Sequence, residues 1–138
     1  MRCDIVSMRR TVYSGEVSLV VVPGRAGELG IAPQHAPLMS SLRPGPVRIV
    51  GTGGEETTFL VGGGLVEVMP HLVTILVDSA ARAADFDEAA AKRAQARARR
   101  VLEARSGEMD IAEAQVMLKD TIEQMQALER WRKRIQHR

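Results

Sequence analysis

The residue types that most often bind metals or act as nucleophiles are few in this 138-residue chain, and they lie far apart. They are one cysteine, Cys3, and three histidines, His35, His71 and His137. No two of them have the short spacing at which zinc ligands usually occur, so the sequence predicts no metal site. Cys3 has no evident base partner in sequence that would activate its thiol, and we interpret it as a packed strand residue.

Two glycine-rich segments were considered as phosphate-binding loops. Gly51–Gly54 is followed by Glu55 and Glu56, whose charges would repel a phosphate group, so we interpret the segment as a turn. Gly24–Gly27 lacks the spacing of a dinucleotide-binding loop, and no predicted helix follows it closely. The chain also lacks the glycine-flanked serine of a nucleophile elbow. These observations argue against an enzyme, and no set of residues suggests a small enzyme of an unrecognised kind.

Basic side chains are concentrated in the second half of the chain. Residues 1–78 hold six Lys/Arg against seven Asp/Glu, whereas residues 79–138 hold thirteen against ten. One interpretation is a solvated helix face with favourable charge at a helix C-terminus. Alternatives are a contact with an acidic protein surface, or nucleic-acid binding. The last would normally require more net charge than +2 or interleaved aromatic residues, which form only 3% of the chain.

The first 78 residues have the pattern of short β-strands separated by turn residues. The predicted strands are Cys3–Ser7, Glu16–Val22, Val47–Val50, Thr57–Val61, Leu65–Met69 and Leu72–Val77. Gly62–Gly64, between two of them, is expected to supply a positive φ in a tight turn. Several strands are apolar on both faces, which predicts two packed layers in a β-sandwich or barrel and argues against βαβ units.

The rest of the chain has one glycine and no proline, and its pattern predicts two helices, Asp87–Ala104 and Ile111–Ile135. The short segment between them contains Gly107, which predicts an antiparallel hairpin. A capping-box pattern, an acidic residue followed three residues later by glutamate, precedes each helix. The two pairs are Asp85 with Glu88, and Asp110 with Glu113.

An apolar stripe runs along each predicted helix. The stripes are Ala90, Ala94, Ala98 and Val101 on the first helix, and Ile111, Ala114, Leu118, Ile122, Met125, Leu128 and Ile135 on the second. Small residues facing large ones let the helix axes approach closely. Because the alanine stripe buries little apolar area at roughly 25 cal/mol per Å², the pairing is expected to be weak. A basic helix of about 25 residues, roughly 38 Å long and weakly held, is expected to be able to move.

One cysteine permits no internal disulfide, which fits a reducing compartment. The longest apolar runs, such as Leu19–Val22, are far shorter than the roughly 20 residues needed to span a bilayer. We therefore expect neither a membrane span nor a signal peptide, and any work at a membrane would depend on a partner.

One segment carries a more specific signal of protein family than the composition of the chain does. Gly27–Leu38, with the sequence GELGIAPQHAPL, resembles the GELGI-x-PGHAPL signature of bacterial F-type ATP synthase epsilon subunits. Further matches follow the same order and cover essentially the whole chain. They are Asp4–Ser7, Ser14–Glu16, Leu42–Ile49, Gly63–Val68, Val73–Asp78 and Asp85–Ala89.

The resemblance implies an α+β fold, with an N-terminal ten-stranded β-sandwich over residues 1–84 and a C-terminal two-helix hairpin over residues 85–138. It implies a non-catalytic rotor subunit of the central stalk of a proton-translocating ATP synthase, which couples rotation to the c-ring. The hairpin would inhibit ATP hydrolysis when extended. The implied partners are the gamma subunit, the c-ring and the catalytic alpha and beta subunits, without nucleic acid. The implied location is the cytoplasmic face of the bacterial inner membrane, reached only through the complex.

The resemblance also implies roles for single residues. Glu28 and His35 would face the c-ring, and Ser7 would face the gamma subunit. The extended hairpin would dock on an acidic loop of the catalytic beta subunits through Arg130, Arg132, Lys133 and Arg134. The family's Pro-Gly-His is Pro-Gln-His here, so a positive φ at that position would place Gln34 under strain.

Some bacterial members carry a nucleotide motif, Ile/Leu-Asp-x-x-Arg-Ala, at the start of the first helix. Here Asp87 and Ala91 match, but the arginine is replaced by Ala90. An ATP site would then use Asp87 and Ala91, with Arg93 or Arg97 supplying the missing guanidinium. Because the motif's phosphate partner is absent, the sequence argues against ATP as a regulatory ligand and predicts no cofactor.

Overall fold

The computed structural model describes residues 1–104 and 111–136, which form a β-sandwich followed by two helices. The strands are β1 (Arg2–Ser7), β2 (Thr11–Gly24), β3 (Gly27–Ile31), β4 (Leu38–Leu42), β5 (Gly45–Gly51), β6 (Glu56–Val61), β7 (Gly64–Val68), β8 (Leu72–Val77) and β9 (Ala80–Arg82). A 3₁₀ turn, Ala83–Asp85, leads into the helices α1 (Glu88–Ala104) and α2 (Ile111–Gln136).

The strands follow the order β1-β8-β7-β4-β2-β5-β6-β9, with β3 also paired to β2. The long strand β2 joins the layers, because its first half pairs with β1 and its second half pairs with β3 and β5. The pairing of β1 with β8 is parallel, with Cys3 opposite Val73, whereas the other recorded pairings are antiparallel. Because β1 pairs with both β2 and β8, it closes the sandwich.

The interior of the sandwich is built from β-branched residues around one aromatic ring, as the low aromatic content requires. Phe59 is fully buried and meets Tyr13 edge to face, with ring centroids 5.7 Å apart. Residues of β5 alternate strictly between buried and partly exposed positions, as a strand with one face on a core must. Cys3 is buried in this core, which confirms that it packs within a strand. Burial, reinforced by Asp4, raises the pKa of its thiol to about 12.

All six predicted strands are present. Five have ends within two residues of the prediction, but β2 begins at Thr11, five residues before the predicted start. Three further strands, β3, β4 and β9, were not predicted, and the total is nine rather than ten. Their sequences, GELGI, LMSSL and AAR, contain Gly, Ser or Ala where strands usually carry β-branched side chains. Pairing with the edges of β2, β7 and β6 stabilises them instead.

The prediction that Gly62–Gly64 supplies a positive φ is wrong. Among the glycines that the structure describes, the left-handed conformation occurs at Gly27 and Gly54. Gly64 is required for space instead. A Cβ atom on Gly64 would lie 2.1 Å from the carbonyl oxygen of Leu76, and one on Gly62 would lie 2.4 Å from Oε2 of Glu123, the end of a flexible side chain. Gly64 therefore lets β8 approach β7 closely.

The predicted cap of the first helix is also wrong by two residues. The Ala90 amide donates to Oδ1 of Asp87 at 2.9 Å, so Asp87 caps α1, whereas Asp85 lies in the 3₁₀ turn. Both aspartates precede the helix in sequence, and the backbone conformation determines which of them caps it. Asp110, the predicted cap of the second helix, and Gly107 lie outside the described residues.

We expect Asp87→Ala to lower the stability of the helical hairpin by about 1 kcal/mol, because the Ala90 amide loses its acceptor. Asp85→Ala is the matched control. It should change stability much less, because the 3₁₀ turn that contains Asp85 has no side-chain cap hydrogen bond. Thermal unfolding followed by far-UV circular dichroism measures both variants. Equal losses would show that Asp87 is not the cap.

The helix α2 has two apolar faces, of which the sequence analysis found one. The first meets α1 through Ala98, Val101 and Ala114, as predicted. The second lies against β5 and β6, where Leu60, Ala127 and Leu128 are buried and Trp131 packs beside them. The hairpin is therefore folded down against the sandwich. The predicted stripe combines the two faces, because Met125 and Leu128 lie in the cluster against the sandwich. It is also wrong at its two ends, because Ile111 and Ile135 are 42% and 47% exposed.

Candidate functional site

Two ion pairs join α2 to the sandwich, one between Lys119 and Asp78 and one between Arg134 and Glu28. Among the described residues there is no group of three or more His, Cys, Asp and Glu side chains that could hold a metal ion. Within the same residues, no helix combines the length and apolar character that crossing a membrane requires.

The C-terminal end of α2 is held to the sandwich by two arginines. The Arg134 guanidinium pairs with the Glu28 carboxylate on β3, and Arg130 donates to the carbonyl oxygen of Pro44, just before β5. We call these two contacts the C-terminal clasp. The structure thus joins Glu28 and Arg134, which the resemblance assigns to different partners.

The other two cations of the proposed docking set are also engaged within the chain. Arg132 donates to Oε2 of Glu88 on α1 at 2.5 Å, and Lys133 lies 3.2 Å from Glu129, one turn earlier on α2. The hydrogen bond from Arg132, followed by that from Lys92, lowers the pKa of Glu88. All four cations of the docking set therefore have partners in this chain, but only the contacts of Arg130 and Arg134 depend on the hairpin being folded down on the sandwich.

A second set of contacts holds the middle of α2, and sequence reasoning did not find it. The Gly63 amide donates to Oε2 of Glu123 at 3.2 Å, and Lys119 lies 3.6 Å from Oδ2 of Asp78. We call these contacts the central clasp. Desolvation, followed by the nearby charge of Asp78, raises the pKa of Asp120 beside it. No sequence pattern pointed to this contact, since Gly63 and Glu123 are separated by 60 residues.

Ser7 lies at the end of β1, beside an apolar part of the outer sheet face. In the sheet register Val6 stands opposite Leu76, and Leu76 stands opposite Leu65. Leu76 is 47% exposed, and Met8, which follows Ser7, is 96% exposed. We call Val6, Met8, Leu65 and Leu76 the apolar face. Large apolar side chains grouped at one place on a surface mark a site where another protein binds.

His35 lies in the loop between β3 and β4, and the loop is tied to its neighbours by backbone hydrogen bonds. The Gln34 amide donates to the carbonyl oxygen of Pro70 at 3.0 Å, and the His35 amide donates to that of Ala32 at 3.2 Å. Gln34 has a φ of 69°, so the position does require the left-handed conformation that the glycine of the signature adopts readily. Glu28 lies near the start of β3 and His35 lies in the loop after its end, and no hydrogen bond or ion pair joins the two side chains.

The three residues considered for ATP have separate environments. The Asp87 carboxylate caps α1, and Ala91 is buried. Arg97 lines an open groove on the outer side of α1 together with Arg93 and Arg100, and Asp87 and Ala91 are not among the lining residues of that groove. The structure therefore brings together the arginines of α1 but not the three residues of the possible ATP site.

Comparison with known proteins agrees with this fold. The family model described as the ATP synthase delta/epsilon chain, beta-sandwich domain, matches residues 1–83. A protein named ATP synthase epsilon chain from Xanthomonas euvesicatoria pv. vesicatoria (strain 85-10) is 49% identical over 137 residues, covering 99% of this chain and 98% of the relative. The protein of the same name from Stenotrophomonas maltophilia (strain K279a) is 48% identical over the same shares.

Two solved structures have the same fold at lower sequence identity. A chain of the Euglena gracilis mitochondrial ATP synthase, in an assembly of OSCP, F1 and c-ring, aligns with a TM-score of 0.62 and 20% identity. The alignment covers 91% of this chain and 79% of that one. A chain of the Tetrahymena thermophila mitochondrial ATP synthase central stalk and c-ring aligns with a TM-score of 0.53 and 20% identity, over 62% and 68% of the two chains.

Proposed function

This chain belongs to the ATP synthase delta/epsilon chain family, and on that premise we propose that it is a rotor subunit of the central stalk of a proton-translocating ATP synthase. The observation that carries the proposal is the near-half identity to proteins named ATP synthase epsilon chain over almost the whole of both chains. The chain is a non-catalytic subunit, and its contribution is to bind and position other subunits. It would act at the cytoplasmic face of the bacterial inner membrane, as a peripheral part of the complex.

The apolar face is the surface we propose for the gamma subunit. It adjoins Ser7, the residue for which the resemblance implies that contact, along β1, and it exposes Leu76 and Met8 to solvent. Ser7 itself stands opposite the buried Val77, so its side chain is on the other face of the sheet. Covering such side chains removes apolar area from water, which favours association by about 25 cal/mol per Å² before the entropic costs of association are subtracted. The rigid sheet behind the face holds its shape without the partner, so association would require little reorganisation.

The β2–β3 hairpin and the loop after β3 are the region we propose for the c-ring. Glu28 is an exposed carboxylate on β3, and His35 is part of a loop fixed by backbone hydrogen bonds. Polar and charged side chains on a fixed loop suit the polar loops of a partner. In this proposal the hairpin inhibits ATP hydrolysis only after it leaves the sandwich, because Arg130 and Arg134 are engaged by the sandwich while it is folded down.

We expect the full chain to co-purify with a gamma subunit, and Leu76→Glu to reduce the recovered gamma subunit at least tenfold. A charge placed within an apolar contact must be desolvated without a partner, which opposes binding. Val116→Glu is the matched control, since Val116 is a comparably exposed apolar residue, 56% exposed, on α2 and away from the apolar face. Pull-down of both variants with tagged gamma subunit tests the assignment. Failure of the unaltered chain to retain gamma would overturn the proposed function, whereas equal retention by both variants would overturn only the proposed surface.

A further inference from the structure

A cleft of about 230 Å³ lies between the sandwich and the last turns of α2. Its charged lining consists of one carboxylate, Glu28, and four cations, Arg43, Arg130, Lys133 and Arg134; two prolines complete it. We call it the cationic cleft. Arg43 belongs to the turn between β4 and β5, so the four cations come from both parts of the protein. None of the residues that the resemblance implies for ATP lines this cleft.

The positive charge in the cationic cleft is only partly compensated. Glu28 pairs with Arg134, and Lys133 has Glu129 as a partner on the solvent side of α2. Arg130 donates to the carbonyl oxygen of Pro44, which carries no net charge. No side-chain acceptor for the Arg43 guanidinium is found in the part of the chain that the structure describes. Four cations of the lining therefore face one carboxylate of the lining, and a second carboxylate, Glu129, contacts Lys133 from outside it.

Like charges in this cleft act against each other. Burial lowers the pKa of the Arg130 guanidinium, and the nearby charge of Arg43 lowers it further. Both groups remain charged at neutral pH, because arginine in proteins does not lose its proton. An anion between them would remove the repulsion and give the Arg43 guanidinium an acceptor.

We propose that the cationic cleft binds a phosphate-bearing anion of about the size of a diphosphate group. Guanidinium groups bind phosphate oxygens in pairs, and a lysine ammonium adds a point charge, so Arg43, Arg130 and Lys133 match the several oxygens of such a ligand. A cleft of about 230 Å³ has room for several water molecules, each of which takes about 30 Å³, and for the anion that replaces them.

Binding in the cleft would connect the two parts of the molecule. The anion would contact Arg43 on the sandwich and Arg130 and Lys133 on α2, so it would bind only while the hairpin is folded down. A ligand that binds one arrangement stabilises that arrangement. Anion binding is a property of the isolated chain, so it can be tested whether or not the proposed function is correct.

The test is a titration of the ¹⁵N-labelled full chain with sodium pyrophosphate at low ionic strength, followed by NMR. We expect saturable shifts of the amides around Arg43 and Arg130, and an apparent Kd that rises with added NaCl. Arg43→Gln should weaken binding at least tenfold, and Arg43→Lys should weaken it less. Arg99→Gln removes the same charge from an exposed position on α1, outside the cleft, and should change the Kd less than twofold.

Two further titrations distinguish a free phosphate compound from a lipid headgroup as the ligand. Tighter binding of pyrophosphate or ATP than of phosphatidylglycerol vesicles indicates a free phosphate compound, and the reverse order indicates a lipid headgroup. Phosphatidylcholine vesicles, which have no net charge, are the blank. Shifts that do not saturate, or equal effects of Arg43→Gln and Arg99→Gln, would overturn the proposal, because the response would then reflect charge in general.

Discussion

Removal of residues 86–138 is expected to raise ATP hydrolysis by the assembled complex about fivefold or more, a typical size for regulatory coupling, while assembly and proton coupling stay mostly intact. The structure supports the second half of this expectation. The main core of the sandwich contains only strand residues, and the smaller cluster beneath α2 draws on the sandwich mainly through Leu60. The sandwich therefore keeps its interior when the hairpin is lost. Hydrolysis by complexes rebuilt with the full and shortened chains is the measurement.

A matched experiment keeps the hairpin but holds it down. Glu28→Cys and Arg134→Cys place thiols at the two ends of the ion pair, and a short bis-maleimide can join them. Cys3 is buried and its thiol has a high pKa, so it should not compete for the reagent. We expect the cross-linked complex to hydrolyse ATP as fast as the shortened one. Hydrolysis that stays low after cross-linking would show that inhibition does not need the hairpin to extend.

Reversal of charge at the four docking cations is less informative than this cross-link. Replacing Arg130, Arg132, Lys133 and Arg134 by Glu is expected to weaken inhibition if they bind an acidic loop. The same changes would break the C-terminal clasp and the ion pair between Arg132 and Glu88. The same substitutions would therefore destabilise both the folded-down and the extended hairpin. Weaker docking would raise hydrolysis, whereas loss of the clasp would favour extension and lower it.

The largest loss of stability is expected from Gly64→Ala, at about 3 kcal/mol or more. A Cβ atom there would lie 2.1 Å from the backbone oxygen of Leu76 and 3.0 Å from Cα of Val77, and backbone atoms of a paired strand cannot rotate away. Strands β7 and β8 would have to separate at the point where they meet. Urea unfolding followed by circular dichroism measures the loss.

Gly30→Ala is the control for this substitution. Gly30 also lies in a strand, but a Cβ atom there would meet nothing within 4 Å, and its φ is not in the left-handed region. We expect a change of less than about 1 kcal/mol, since alanine in an open strand position costs little. Similar losses for the two variants would mean that any side chain on these glycines is harmful, whatever the available space.

The sequence predicted those elements whose pattern is dictated by the core. The alternation in β5 and the apolar run of β8 leave little choice of structure. The strands β3 and β4 were not predicted, because their Gly and Ser residues do not favour strands and their pairing depends on residues in other strands. The two apolar faces of α2 were not distinguished for a related reason. A single helical stripe predicts contact with one partner, and α2 packs against two, α1 and the sandwich.

The contacts of the hairpin were even less accessible to sequence reasoning. The pair Glu28 and Arg134 lies 106 residues apart, and the chain has 17 acidic residues and 19 Lys and Arg residues that could combine in many ways. The resemblance named both residues, but for contacts with other subunits. The strain at Gln34 was predictable, because the departure from glycine is visible at one position.

From the parallel pairing of β1 with β8 we expect a particular order of folding. One edge of β1 is covered by β2 early, but the other edge stays open until residues 72–77 have been synthesised. Long-range pairings of this kind form late and slow folding. We expect a chain that ends at Val68 to show no slowly exchanging amides by NMR, and protected amides there would contradict this order. Because the helices follow β8 in the chain, we expect them to dock on a sandwich that has already closed.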